Sequence, residues 1–186
     1  MVPGGLADPS GLCGLGLLRS WSLRRRAALL FDCCASSRWV ALVAARLEGC
    51  RDEAQFYELI EDVWWWLSPG DWHEAIDANP RPAVPDVSGS APTLLREIAE
   101  GLRAYEERFA MRYVARGHGR GAAELLLVLR RRLANPTNVE IRVAAGEQME
   151  VTRARLQQAL SPLVSADHGR HQVRLRVPAA RGALAV

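Results

Sequence analysis

Lysine is missing altogether. All 24 basic residues of this 186-residue chain are arginine, so neither a pyridoxal Schiff base nor a phosphate-loop lysine is available, which excludes two large enzyme classes. The formal net charge is only +3, and its densest clusters, Arg24-Arg25-Arg26 and Arg130-Arg131-Arg132, are runs of three that spread around a helix turn. They read as solvated helix surface, and no nucleic-acid partner is expected. Cysteine is absent after position 50. Cys13, Cys33, Cys34 and Cys50 make no disulfide framework, and the adjacent pair lacks the C-x-x-C spacing of a zinc or redox site, so a reduced cytoplasmic compartment and no metal are the expectation. Long apolar runs are scarce as well. The stretch Leu12 to Leu18 is short and contains glycines, which suits neither a signal peptide nor a bilayer span, and no membrane partner is expected. Strand-like alternation is limited to His171–Val177, where Val173, Leu175 and Val177 alternate with Arg174 and Arg176.

Helical periodicity fills the space between. Leu30, Phe31, Cys34, Trp39, Leu42, Val43 and Leu47 predict two helical pieces joined at Ala35-Ser36-Ser37, where a serine suits a cap. Phe56, Ile60, Val63 and Leu67 recur at intervals of four, three and four and predict a buried helix face, with Glu58, Glu61 and Asp62 turned away. Ser68-Pro69-Gly70-Asp71 has the form of a helix start related to the capping box, and Pro80 ends the short helix that follows at Asn79. Residues 80–92, with four prolines, read as a loop. Leu94 to Phe109, Ala122 to Leu133 and Val139 to Leu160 are three further helices, with Met111 to Ala115 extended between the first two. The fold class predicted is all-α, a single-domain helical bundle with short antiparallel connections. Its expected extent is 26–161, between a loosely ordered segment 1–25 and a disordered or weakly packed tail 162–186. Three consecutive tryptophans, Trp64, Trp65 and Trp66, cannot share one helix face, so at least one should be exposed or at a subunit contact.

Tyr105, Phe109, Tyr113-Val114, Gly117, Arg132-Leu133, Asn135, Glu140 and Arg155-Leu156 stand in a fixed spacing over about fifty residues. Together with Ser36-Ser37-Arg38-Trp39 and the segment from Trp64 to Pro80, that spacing resembles the family of OHCU decarboxylases. The resemblance implies an all-α bundle, commonly dimeric, that needs no metal or organic cofactor. It also implies decarboxylation of 2-oxo-4-hydroxy-4-carboxy-5-ureidoimidazoline to (S)-allantoin at the end of urate oxidation. Loss of CO2 leaves a carbanion that the substrate ring delocalises, so the protein's tasks are to grip an anion and deliver one proton to one face.

Three groups implied by the resemblance meet different fates here. Arg155 matches the substrate-contacting arginine, whose guanidinium fork suits a carboxylate or ureido oxygen; a salt bridge between helices is the competing reading. The His of the His-Pro pair, taken as the catalytic acid/base, is Asn79, followed by Pro80. An amide neither gains nor loses a proton near neutral pH, and a polar residue finishing a helix is the plainer role for it. The family's Glu-Gln pair is missing; Glu97 and Glu100 read as solvent charges near Arg96 and Arg103. Backbone contacts to substrate map to Ala115, Arg116, Gly117, His118 and Gly119, where Arg116 and His118 are candidates to reshape the pocket. His73, six residues before Asn79, points elsewhere on its helix, and Asp167, His168 and His171 make a weak metal cluster. The reading is therefore an OHCU decarboxylase-like protein, or a catalytically silent or repurposed paralogue that binds a small anion or a partner protein. Trp66 is the candidate contact for a homodimer.

Overall fold

The computed structural model describes residues 14–80, 92–115 and 121–174, with side chains described as far as Ser161. Among these residues every regular element is helical: α1 (Gly14–Ser20), α2 (Leu23–Cys33), α3 (Ser37–Arg46), α4 (Glu53–Trp65), α5 (Pro69–Asp77), α6 (Pro92–Phe109), α7 (Ala122–Leu133) and α8 (Thr137–Arg174), plus one 3₁₀ turn at Leu47–Gly49. Helix α8 is the axis. It touches α1, α2, α4, α5 and α6, while α6 packs chiefly on α7.

Local chemistry sets most boundaries. Ser36 caps α3 by accepting from the Trp39 amide, which fixes the break between α2 and α3. Ser68 and Asp71 form a complete capping box at the start of α5, with Pro69 at the first helical position, so two orphan donors are satisfied reciprocally. The stripe Phe56, Ile60, Val63 and Leu67 is buried as its spacing predicts. The tryptophans divide as their angles require. Trp64 is buried and donates its indole N–H to the Ala145 carbonyl at 3.0 Å, while Trp65 is 48% and Trp66 84% exposed.

Three expectations need correction. Helical order reaches back to Gly14, not 26, because Leu15 and Leu18 are fully buried, and Gly14 lies so close to Leu160 that a Cβ there would stand 2.8 Å from the Leu160 Cβ. The glycines that suggested looseness allow this close approach. At the other end the α8 backbone stays helical to Arg174, so His171–Arg174 does not form the start of a strand; residues 175–186 lie outside the described part, as do 81–91 of the expected loop. The arginine runs are not uniformly solvated. Arg26 is buried, with Nε on the Trp21 carbonyl at 2.9 Å and NH1 on Glu48 at 2.8 Å, and Arg132 is buried in the core.

Helix α6 ends in a strained residue. Ala110 has φ of 50°, the left-handed region where an L side chain costs about 1–2 kcal/mol. Ala110→Gly is expected to raise stability by about 1 kcal/mol after the entropy of a more flexible unfolded chain is set against the relief. A urea titration comparing midpoints at unchanged slope checks this.

Candidate functional site

The capping box sets where α5 starts, and Pro80 sets where it stops, which places Asn79 at its carboxyl end against α8. Asn79 is buried. Its Nδ2 has two hydrogens, one shared between the Ala75 and Ile76 carbonyls, both at 3.0 Å, and one given to Gln148 Oε1 at 2.6 Å. Its Oδ1 accepts from Arg155 NH2 at 2.9 Å. The amide therefore closes the end of α5, where unpaired carbonyls need donors, and spends its oxygen on a cation. Arg155 reaches further, to the Cys33 carbonyl at 3.4 Å, tying the ends of α2 and α5 to α8. No carboxylate is paired with it among the described residues, where hydrogen bonds to neutral acceptors stand in place of the interhelical salt bridge.

Gln148, Thr152 and Arg155 recur at four and three residues, one face of α8. Gln148 and Thr152 are fully buried, and Gln148 Nε2 donates to Thr152 Oγ1 at 3.3 Å. With Gln148 Oε1 accepting, Asn79 must present its NH2 to Gln148 and its oxygen to Arg155. Sequence reasoning missed this ordering residue; the helical spacing back from Arg155 was the available signal. It also missed Arg112, whose backbone amide donates to Asp77 Oδ1 at 3.1 Å and whose NH1 donates to the Asn79 carbonyl.

The extended strip Met111–Ala115 is held by a second network, built from the residues that carry the family spacing. Glu140 Oε1 accepts from Tyr105 OH at 2.5 Å and from Arg132 Nε at 2.7 Å, and Oε2 accepts from Asn135 Nδ2 at 2.7 Å. Arg132 NH1 donates to the Val114 carbonyl at 2.6 Å, and its guanidinium lies 4.6 Å from the Tyr113 ring centroid. Burial first, with Glu140 adding, pushes the Tyr105 hydroxyl far above the ordinary phenol range despite Arg132. Burial pulls the Arg132 guanidinium down, and Tyr105 and Glu140 outweigh it, so the net direction is up. This network is structural: it fixes α6, α7, α8 and the strip before Ala115.

Of the expected site residues, the structure brings Asn79 and Arg155 into direct contact and leaves Pro80 exposed beside them. Ala115 is half-buried at the end of the strip; Arg116, Gly117, His118 and Gly119 lie outside the described residues, as do the side chains of Asp167, His168 and His171. His73 is half-buried on α5. Glu100 pairs with Arg96 at 3.8 Å, as expected of a surface charge, and Glu97 pairs across helices with Arg130 at 2.9 Å.

Two thiols sit beside this cluster. Burial pushes Cys33 up from 9.0 to about 11, with Arg155 partly opposing, and Cys34 up to about 12, with Thr152 opposing. An acid whose folded pKa is raised leaves stability whole below the unfolded value and erodes it as pH climbs through the folded one. Thermal melts are thus expected to hold steady up to about pH 8.5, the ordinary thiol pKa, then fall progressively at higher pH. Cys34→Ala should flatten that decline.

A family model of OHCU decarboxylases matches residues 19–157. Among curated proteins, the chain is similar to the uric acid degradation bifunctional protein TTL of Arabidopsis thaliana, 28% identical over 149 residues that cover 69% of this chain and 45% of that protein; it thus spans less than half of that relative's length. A solved OHCU decarboxylase, crystallised in the presence of (S)-allantoin, superposes with a TM-score of 0.61 at 28% identity, covering 70% of this chain and 96% of the other. A solved (S)-allantoin synthase shares the fold, with a TM-score of 0.66 at 18% identity over 77% of this chain and 53% of that one. Among the described residues no helix is long and apolar enough to cross a membrane. The match over most of its length makes this chain a member of the OHCU decarboxylase family.

Proposed function

We propose that this chain acts in urate degradation as an OHCU decarboxylase-type protein that holds the anionic ureido-imidazoline through Arg155 but transfers no proton from position 79. The observation that carries the reading is the state of Asn79. Its amide has no titratable proton, and both ends of it are engaged by the protein, three contacts at Nδ2 and one at Oδ1. Arg155, by contrast, is half-buried and has no carboxylate partner among the described residues, where its contacts with the Cys33 carbonyl and Asn79 Oδ1 leave donors over from the five of a guanidinium. An anion arriving there finds a charge that costs little desolvation to engage and a fork suited to carboxylate or ureido oxygen. Decarboxylation of 2-oxo-4-hydroxy-4-carboxy-5-ureidoimidazoline to (S)-allantoin is accordingly slow or silent in this chain, and ligand binding is the property retained.

Calorimetric titration with (S)-allantoin tests the grip. Saturable binding weakened about tenfold or more by Arg155→Gln supports the reading, since charge-assisted bonds of this kind are worth about 1.5–3 kcal/mol. Wild-type protein that does not bind, or binding indifferent to Arg155→Gln, contradicts it. A second copy of the chain is the proposed cover for Trp66, supported by its 84% exposure beside the half-exposed Trp65. Sedimentation at micromolar concentration is expected to show a dimer that Trp66→Ser converts to monomer, and a wild-type monomer removes the proposal.

A further inference from the structure

We propose that Arg112 is a second anion-contacting residue, and that with Arg155 it makes the site select ligands bearing two strongly accepting groups, such as a carboxylate with a ureido carbonyl or with a second carboxylate, over simple monoanions. The proposal rests on the reading that Arg155 grips an anion, and adds to it a partner from another part of the chain.

Both guanidiniums converge on one residue from different elements. Arg155 comes from α8 and meets Asn79 at its side-chain oxygen. Arg112 comes from the extended strip and meets Asn79 at its backbone carbonyl. The strip is not free to swing away. Its Arg112 amide is tied to Asp77 of α5, and two residues on, its Val114 carbonyl is clamped by buried Arg132. Arg112 is half-buried, like Arg155, and neither is paired with a carboxylate side chain among the described residues. Two cations flanking a single asparagine repel one another, and the neutral acceptors between them together with the Asp77 carboxylate on the Arg112 amide offset this only in part. A ligand with two acceptors relieves that repulsion at both ends, and a monoanion at one.

A helix-end contact alone would also bring Arg112 to the Asn79 carbonyl, because cations suit the negative end of a helix. The two roles differ in what they control. A structural clamp affects all ligands alike through stability; an anion contact changes the preference between ligands.

The test is titration of the full chain at low ionic strength with malonate and acetate as probes, since both carry the same functional group and differ in its number. Malonate is expected to bind at least tenfold more tightly than acetate. Arg112→Gln should weaken malonate about tenfold and leave acetate within twofold, and Arg112→Lys, which keeps the charge, should retain the preference. Thermal melts of each variant confirm folding. Equal effects of Arg112→Gln on both probes, or no effect on either, overturn the proposal while leaving the Arg155 grip standing provided Arg155→Gln still weakens binding. Wild-type protein that binds (S)-allantoin but not malonate overturns it too, and protein that binds neither overturns both readings.

Discussion

Glu140→Ala is expected to cost about 3–5 kcal/mol of folding stability, because it strands the Arg132 charge in the core. The carboxylate is fully buried and receives Tyr105, Arg132 and Asn135 together. Its removal leaves three donors without their acceptor, and water does not reach them cheaply. Glu140→Gln keeps the shape but loses the charge, and its penalty should be smaller, about 1–3 kcal/mol. Tyr105→Phe should be milder than Glu140→Ala, since one hydroxyl disappears and the ion pair survives. Urea unfolding at neutral pH separates the three. A loss under about 1 kcal/mol for Glu140→Ala would mean that this network is not what holds α6, α7 and α8 together.

Turnover of the ureido-imidazoline is expected to be about 10²–10⁴-fold slower than in a family member with an imidazole at the position of Asn79, the range lost when a general acid/base is removed. Asn79→Ala is expected to change kcat by less than twofold while raising KM, since Arg155 loses the acceptor that orders it. It should nevertheless lower stability by about 1–3 kcal/mol, because Gln148 Oε1 loses a buried donor and Arg155 its nearest acceptor. Rate and stability would thereby come apart, as expected if residue 79 supports the fold and takes no part in the proton transfer. Initial rates and melts on the same preparations check both halves.

What the sequence made legible follows from range. The α2–α3 break at Ser36, the capping box at Ser68 and Asp71, and the stripe from Phe56 to Leu67 are decided by residues within four positions of one another, and each stands as read. The fate of the tryptophan triplet followed from angle alone. Arg26 and Arg132 were misread because their partners, Glu48 and Glu140, lie 22 and 8 residues away, and a run of three arginines carries no mark of which member turns inward. Helix α1 was misread because glycine counts as looseness in a composition and as close packing in a bundle, and only the position of Leu160 decides which.

The site was half legible. Asn79 and Arg155 were marked by the family spacing, yet their direct contact spans 76 residues, and no periodicity reports that. The spacing residues Tyr105, Arg132, Asn135 and Glu140 prove to be scaffold. A family pattern read along the chain does not separate the residues that meet a substrate from those that hold the frame, whereas burial and hydrogen bonding do. Gln148 and Arg112 lay outside the family pattern; the one is found by stepping back along the face of α8, the other only by folding the chain.

Anion binding at Arg155 without proton delivery from position 79 is expected to leave the allantoin formed with little or no enantiomeric excess of the (S) form. Its most direct test generates the substrate in situ from urate with urate oxidase and hydroxyisourate hydrolase and follows (S)-allantoin by circular dichroism in the presence of this protein. Uncatalysed decay yields racemic allantoin and serves as the baseline. A chiral signal at least about 10²-fold smaller than an equal amount of an imidazole-bearing family member produces is expected; a signal within about tenfold of that member's would overturn the reading.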